Sequence, residues 1–208
     1  LGYLQRLRAL CDRHGVLLIF DEVITGFGRV GHSFAAQAFG VTPDLMTLAK
    51  GLTNGAVPMG GVLVSGAVYE AFMQGPEQAI ELMHGYTYSA HPLACAAGLA
   101  TLEVHQELGI NAHVQQIAPL WQTTALALRE QPLVLDVRAI GLLCAVELKP
   151  RDGAPGARAA EVAQRCFDAG VLVRASGENI VLSPPLILDQ EQLALIFHTL
   201  AQALEATR

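Results

Sequence analysis

Two residues that could share one chemical site are Asp21 and Lys50. Asp21 follows the apolar run 16–20, and Lys50 follows the apolar run 45–49. Ligands of open parallel sheets bind beyond the carboxyl ends of the strands, so an acid and an amine at two such ends can face one ligand. The ordinary alternative is a partly buried ion pair between the two side chains. The positions alone leave both interpretations open.

The residues around Lys50 favour a ligand over an ion pair. Segment 49–55 reads A-K-G-L-T-N-G, so small or flexible residues flank the lysine. A surface ion pair needs no such clearance, whereas a lysine approached closely by a planar ring does. The segment is not a phosphate-binding P-loop, because its glycines and lysine stand in the wrong order. In pyridoxal phosphate (PLP) enzymes, a lysine forms a Schiff base with the cofactor and an acid pairs with its pyridinium nitrogen. The pattern therefore indicates PLP chemistry.

The composition excludes several other classes of function. The net charge is −6 and no run of Lys or Arg occurs, which argues against nucleic-acid binding. No apolar stretch reaches the roughly 20 residues that a membrane span needs. The histidines lack the spacing of metal ligands, so we predict no metal site. The four cysteines are scattered without a C-x-x-C pair, as expected for reduced thiols in a cytoplasmic protein.

The elements that position Asp21 and Lys50 follow from the hydrophobic pattern. The predicted helices are 4–14, 67–73, 93–108, 112–130, 157–169 and 190–206, and the predicted strands are 16–20, 45–49, 61–64, 134–140, 142–148, 171–174 and 179–182. Residues 1–108 indicate an α/β unit with parallel strands, because the apolar runs do not alternate. Residues 109–208 indicate a smaller α+β unit, and Asp189 is the predicted N-cap of its last helix.

Three segments of the chain resemble one enzyme family. They read LLIFDEVITGFGR, GVTPDLMTLAKGLTNGAVPMG and HGYTYSAHPLACAAGLATLE. In this order they resemble the class III aminotransferases of PLP fold type I, above all the omega-amino acid:pyruvate branch. The resemblance implies part of the large, mostly parallel-sheet domain followed by the small C-terminal α+β domain. The chain starts at Leu1 without an initiator Met, so we expect a fragment. The resemblance implies that it is the second half of a longer protein.

The resemblance implies specific roles for five residues. Asp21 would keep the pyridine nitrogen of PLP protonated, and Val23 would pack against a face of the ring. Lys50 would form the Schiff base and, once displaced by substrate, would carry the proton between two carbons. Thr87 would bind the cofactor phosphate across a dimer interface. Arg174 would bind the substrate carboxylate. For Thr87 and Arg174, the residues alone leave a turn hydrogen bond and a surface arginine as open alternatives.

Two neighbours of these residues are expected to have structural roles. Side chains alternate along a strand, so Glu22 should point away from the cofactor ring and serve as a structural or supporting acid. Arg29 follows Phe27 and Gly28 in the glycine-punctuated segment, and we expect it to fix that loop.

The resemblance predicts a transaminase that moves an amino group from an omega-amino acid, such as β-alanine, or an amine to pyruvate by a ping-pong reaction. The alternatives are diaminopelargonate synthesis, 4-aminobutyrate or ornithine-type transamination, semialdehyde aminomutation, or a non-catalytic truncated chain. Charged residues make up only 15% of the chain, against about 25% in an average domain, which indicates extensive burial. With the Thr87 resemblance, this predicts a homodimer or a dimer of dimers. The family's phosphate loop and stacking aromatic lie upstream of Leu1, so the fragment alone should be inactive.

Overall fold

The computed structural model describes residues 2–79 and 82–207. The chain forms two compact units that divide between Gly109 and Ile110. The short segment Arg29–Gly31 is the exception, because it packs in the second unit although the residues before and after it belong to the first. No helix within the described ranges is long and apolar enough to cross a membrane.

The first unit combines a three-stranded sheet with four helices. Its elements are α1 Tyr3–His14, β1 Ile19–Asp21, α2 Ala35–Phe39, β2 Leu45–Leu48, a 3₁₀ turn Lys50–Leu52, β3 Gly61–Val64, α3 Gly66–Phe72 and α4 Pro92–Glu107. Strands β1 and β2 are parallel, as predicted, with Ile19 opposite Leu45 and Asp21 opposite Thr47. The prediction of a parallel strand is wrong for β3, which runs antiparallel to β2. The connection 49–60 holds only a short 3₁₀ turn, whereas the crossover between parallel neighbours is usually an α-helix.

Strand β1 begins three residues later than the sequence predicted. The backbone of Leu18, the residue before the strand, forms hydrogen bonds with Asp44 instead. The Leu18 N–H donates to Asp44 Oδ2 at 2.7 Å, and the Leu18 carbonyl accepts from the Asp44 N–H at 2.8 Å. Arg8 donates to the same Oδ2 at 2.8 Å. The Leu18 amide and the Arg8 guanidinium hold the pKa of Asp44 below its ordinary value. This cluster fixes the point at which β1 and β2 start to pair.

The second unit packs helices on one antiparallel sheet. Its elements are α5 Ile110–Ala127, a 3₁₀ turn Leu128–Glu130, β4 Val134–Ile140, β5 Leu143–Leu148, α6 Ala157–Asp168, β6 Arg174–Ser176, β7 Asn179–Leu182 and α7 Gln190–Ala206. The strand order is β4-β5-β7-β6. Asp189 caps α7 as predicted, because its side chain accepts from the Gln192 N–H at 2.8 Å and Gln192 accepts from the Asp189 N–H at 3.1 Å. The predicted α+β unit is therefore present.

The predicted strand 171–174 is wrong in position, since the strand occupies Arg174–Ser176. Val171 and Val173 are buried, so their apolar character reflects core packing without strand pairing. The pairing is set instead by Gly177, whose left-handed backbone (φ 56°) reverses the chain and places Ser176 opposite Asn179.

The core of the second unit is centred on Trp121. Its side chain is fully buried, lies edge-on to the ring of Phe197 at 4.8 Å, and donates from Nε1 to the Leu143 carbonyl at 3.3 Å. The buried thiols of Cys144 and Cys166 belong to the same core, and burial raises their pKa to about 12 and about 11.

The segment Arg29–Gly31 is bound to the second unit by its backbone and by the half-buried guanidinium of Arg29. Arg29 donates from Nη1 to the Pro184 carbonyl at 2.5 Å, and its own carbonyl accepts from the Leu142 N–H at 3.0 Å. Burial lowers the pKa of Arg29. A Cβ at Gly141 would lie 2.3 Å from the Arg29 carbonyl oxygen, so only glycine allows this approach. The prediction that Arg29 fixes its loop is confirmed by these contacts.

Candidate active site

Asp21 lies at the carboxyl end of β1 with one carboxylate oxygen fixed. Its Oδ1 accepts from the Val23 N–H at 3.0 Å and from Thr47 Oγ1, on the neighbouring strand, at 3.4 Å. The first contact is an Asx-turn, which ends the strand. The other oxygen, Oδ2, has no hydrogen-bond partner within residues 2–79 and 82–207. The side chain is exposed. Asp21 therefore presents an oriented carboxylate whose second oxygen is available to a proton donor.

Lys50 lies just beyond the carboxyl end of β2, the parallel neighbour of β1. Its backbone is left-handed (φ 46°) and starts the 3₁₀ turn. The Lys50 carbonyl accepts from the Gly55 N–H at 3.2 Å, which closes the turn 50–55. Among the described residues the Lys50 amine forms no ion pair, and the ordinary alternative of an Asp21–Lys50 pair is therefore not observed. Both groups lie at one edge of the sheet, and neither neutralises the other.

Glu22, next to Asp21, has a different environment and different partners. Its side chain is 1% exposed, and its carboxylate accepts from the Ala35 N–H at 2.9 Å and the Ala36 N–H at 2.7 Å. Thr25 Oγ1 donates to the same carboxylate at 2.5 Å. These contacts place negative charge at the start of α2, where the first N–H groups lack helical partners. The prediction that Glu22 is a structural acid is confirmed by these contacts.

Val23 lies half-buried directly after the strand. Its N–H donates to the Asp21 carboxylate, so the residue is held beside that acid. Strict strand alternation ends at Asp21, and the position of Val23 depends instead on this turn.

Thr87 lies in an exposed segment with an unusual backbone. Tyr86, Tyr88 and Ala90 are left-handed, with φ of 52°, 64° and 55°, and they alternate with Thr87 and Ser89. Left-handed residues occur in backbone nests, whose N–H groups form a concavity that suits an anion. The Thr87 hydroxyl has no hydrogen-bond partner in the part of the chain that the structure describes. The turn hydrogen bond considered as its alternative role is therefore not formed.

Arg174 begins β6 on the open face of the second unit's sheet. It lies opposite Val181, which is opposite Ala145, which is opposite Arg138, so the two arginines share one row across the sheet. Arg138 is occupied by Glu147 at 2.9 Å, Asp136 at 3.0 Å and Asn179 at 2.8 Å. Arg174 is exposed and has no ion pair within the described ranges. Of these two guanidinium groups, Arg174 is the one available to a carboxylate ligand.

The residues that the sequence singled out fall into three places. Asp21, Val23 and Lys50 lie together at the carboxyl edge of the β1–β2 pair. Thr87 lies in another segment of the same unit, and Arg174 belongs to the second unit. No group of metal-binding side chains occurs within the ranges described. Within the first unit, the donor set suits PLP, since among the described residues it offers a carboxylate oxygen without a hydrogen-bond partner and an amine without an ion pair.

Sequence reasoning missed the buried ring of Phe27, which packs against Gly51, the residue after Lys50. The available signal was the flanking of Phe27 by Gly26 and Gly28 within a turn-rich segment, since paired glycines mark a tight backbone. The docking of Arg29–Gly31 in the second unit was also missed, because no local pattern encodes it.

Comparison with known proteins gives concordant matches over nearly the whole chain. The model of the family described as aminotransferase class-III matches residues 1–204. An omega-aminotransferase of Caulobacter vibrioides is 57% identical over 98% of this chain and 46% of its own length. A beta-alanine–pyruvate aminotransferase of Pseudomonas aeruginosa is 46% identical over 98% of this chain and 46% of its own length.

A solved structure gives the same result for the fold. An amine transaminase from an uncultivated Pseudomonas species, determined in a PLP-bound form, superposes with a TM-score of 0.92 at 38% identity. That match covers 100% of this chain and 48% of the solved one. The chain therefore spans about half the length of the relatives it matches.

Proposed function

Because the chain belongs to the class-III aminotransferase family, we propose that it forms part of a PLP-dependent transaminase that moves an amino group from an omega-amino acid or an amine to pyruvate. The observation that carries this proposal is the placement of Asp21 and Lys50. The two side chains lie at one carboxyl edge of parallel strands, and each is free to engage a ligand. When bound, PLP supplies an electron sink that lets a proton leave the carbon bearing the amino group.

Asp21 holds a proton on the pyridine nitrogen in this proposal. Its Oδ1 is fixed by the Val23 N–H and the Thr47 hydroxyl, so Oδ2 has a defined direction in which it would accept a hydrogen bond from the protonated nitrogen. A carboxylate next to a cation favours the charged form of both partners. An amide at this position has no negative charge with which to do so.

Lys50 both holds the cofactor and moves a proton. Its amine would hold the cofactor covalently and, once free, would act as the base and acid that moves a proton between two carbons. The absence of an ion pair among the described residues supports this role, because a paired ammonium would have to break that contact first. The closed turn 50–55 gives the side chain a fixed origin.

Thr87 and Arg174 bind the anionic ends of the ligands. The Thr87 hydroxyl and the surrounding N–H groups would take the cofactor phosphate, which is supported by the left-handed backbone of Tyr86 and Tyr88 on either side of it. Arg174 would hold the carboxylate of pyruvate through two parallel hydrogen bonds, a geometry that a lysine cannot reproduce. Its lack of a carboxylate partner within the described chain supports that role.

The choice of an omega-amino acid or an amine as donor and of pyruvate as acceptor rests on the names of the relatives. We also propose a homodimer, because the proposed role of Thr87 is to bind the cofactor phosphate across a dimer interface. Exposed apolar side chains on α4, including Leu93, Leu99 and Leu102, are consistent with a covered surface. Other class III reactions, such as 4-aminobutyrate or ornithine-type transamination, are the alternatives within the family.

The visible spectrum of the complete gene product with added PLP tests the proposal. We expect the absorbance of a lysine-bound cofactor, its loss in Lys50→Ala, and its retention in Lys149→Ala, the matched control at the other lysine of this chain. A screen of β-alanine, 4-aminobutyrate, ornithine and simple amines against pyruvate and 2-oxoglutarate then assigns the donor and acceptor. A spectrum that Lys50→Ala leaves unchanged would contradict the proposal.

A further inference from the structure

Phe27 has a backbone conformation that bulky residues rarely adopt. Its φ is 58° and its side chain is 7% exposed. A left-handed aromatic residue is an outlier that persists only where the surrounding structure enforces it. Such outliers cluster at functional sites, so the contacts of Phe27 are informative.

The side chain of Phe27 packs directly against Gly51, the residue that follows Lys50. A Cβ placed on Gly51 would lie 2.8 Å from the Phe27 Cβ and 3.1 and 3.2 Å from its Cδ2 and Cγ atoms. No side chain fits in that space. The turn that carries Lys50 therefore rests on Phe27 with no gap between them.

Phe27 is itself held from two sides. Its N–H donates to the Ser33 carbonyl at 2.6 Å, and the Gly28 N–H donates to the His32 carbonyl at 3.2 Å, which closes a hairpin-like loop. The Phe27 ring lies edge-on to the ring of Phe34, with centroids 5.5 Å apart and planes at 71°. Phe34 packs against Gly26, near the start of the loop, and is not among the nearest atoms to Gly51.

We propose that Phe27 is a positioning residue. By packing against Gly51 it supports the left-handed turn at Lys50 and thereby sets the direction of the lysine amine. The inference rests on the proposed role of Lys50 and deepens it. Lys50 has its own strained φ of 46°. Within the turn 50–55, the Thr53 and Gly55 N–H groups donate to the Lys50 carbonyl and the Asn54 N–H donates to the Gly51 carbonyl. These bonds are internal to the turn, so the packing of Phe27 on Gly51 adds support from a different segment. A misplacement of about 1 Å in a catalytic group can lower a rate about a hundredfold.

The first test measures the turn in the complete gene product without added PLP. Hydrogen–deuterium exchange of the peptide covering residues 49–56 reports the amides that close the turn. We expect Phe27→Ala to speed this exchange by about tenfold or more, since loss of a buried ring costs several kilocalories per mole in general. Phe34→Ala is the matched control. It removes a phenylalanine ring of the same size, from the other member of the aromatic pair, and leaves the contact of Phe27 with Gly51 in place. Equal acceleration by both variants would overturn the proposal.

A second test adds a methyl group at Gly51, the other partner of the contact with Phe27. Gly51→Ala should speed exchange of the same peptide, because its Cβ has no room against Phe27. In a Phe27→Gly background the same methyl group has room, so Gly51→Ala should there have little effect or slow the exchange. This double-mutant cycle isolates the contact even if Phe27→Ala is poorly folded. An effect of Gly51→Ala that is equal in both backgrounds would contradict the proposed contact.

The third readout uses the PLP-loaded protein. We expect Phe27→Leu to shift the pH midpoint of the absorbance change of the lysine-bound cofactor and to lower kcat more than it changes KM for pyruvate. A role limited to folding would lower the active fraction without moving the pH midpoint. If the wild-type protein shows no lysine-bound cofactor, the proposed function fails. The exchange results in the unloaded protein still decide whether Phe27 positions the turn.

Discussion

The adjacent acids Asp21 and Glu22 should respond in opposite ways to the same chemical change. Asp21→Asn removes a charge from an exposed side chain, so we expect little loss of stability and a strong loss of transamination. Glu22→Gln removes a charge from a side chain that is 1% exposed and accepts from two N–H groups of α2. We expect that variant to lose stability first.

The magnitude for Glu22 follows from its hydrogen bonds. A glutamine keeps one acceptor oxygen and puts an NH₂ group where the second oxygen was. That group can donate to Thr25 Oγ1 but cannot accept from an amide, so either the Ala35 or the Ala36 N–H loses its partner. One unpaired buried donor costs about 1–3 kcal/mol, and Glu22→Ala, which strands both, should cost about 2–6 kcal/mol. Against typical stabilities of about 5–15 kcal/mol, the second variant is severely weakened.

Hydrogen–deuterium exchange of the peptide 33–40 in the complete gene product measures this effect where it arises. We expect an acceleration of about 5- to 150-fold for Glu22→Gln, since each 1.4 kcal/mol is about tenfold, and a larger one for Glu22→Ala. In Asp21→Asn, this peptide should exchange at the wild-type rate, whereas the transamination turnover of the variant should fall strongly. Unchanged exchange in Glu22→Ala, or near-normal turnover in Asp21→Asn, would refute the assignment of these two roles.

Four further outcomes are expected. Borohydride reduction of the PLP-loaded protein should place a pyridoxyl group on Lys50, and a label on Lys149 instead would exclude that assignment. Arg174→Ala and Arg174→Lys should raise KM for pyruvate steeply, with a loss of about 1.5–3 kcal/mol per charged hydrogen bond, while the half-reaction of a carboxylate-free amine changes little; equal losses would mean a structural arginine. Because burial raises the thiol pKa to about 12 at Cys144 and about 11 at Cys166, the folded state holds these protons more tightly than the unfolded state. Stability should therefore fall from the ordinary thiol pKa of about 8.5 up to about 12, and heat scans from pH 8 to 11 should lose this slope in a Cys144→Ala, Cys166→Ala variant. Sedimentation of the complete gene product should show a dimer, and a fully active monomer would contradict the role given to Thr87.

Much of the fold could be predicted because it depends on local pattern. The boundaries of the last helix follow from its Asp189 cap, and the strand pair around Gly141 follows from two apolar runs separated by one turn residue. The strand predicted at 171–174 failed for a non-local reason. Val171 and Val173 are apolar because they fill the core, whereas the pairing of Arg174 depends on the turn at Gly177 and on the partner strand. Composition cannot separate these two causes.

The candidate site could be predicted only where residues carry chemistry. Asp21 and Lys50 are reactive types at strand ends, so their places could be predicted from the sequence, whereas their individual roles rest on the family resemblance. The opposite orientation of Glu22 followed from strand alternation, but its partners Ala35 and Ala36 did not, because backbone amides leave no mark in a sequence. The contact between Phe27 and Gly51 was invisible for a similar reason. It depends on a missing Cβ meeting a ring, and only the three-dimensional structure places the two together.

The end of β1 and the segment after it contain several different residue types, and each of them makes a different contact. Asp21 faces the proposed cofactor site, Glu22 caps α2, Phe27 packs against the residue after Lys50, and Arg29 inserts its guanidinium into the second unit. Each of these contacts fixes a different point of one short stretch of chain. Asp21 and Phe27, which packs against the turn of Lys50, therefore belong to the same stretch. A substitution anywhere in this segment should therefore act through a contact of its own. The exchange and turnover measurements separate those contacts, because each is read out at a different peptide or substrate.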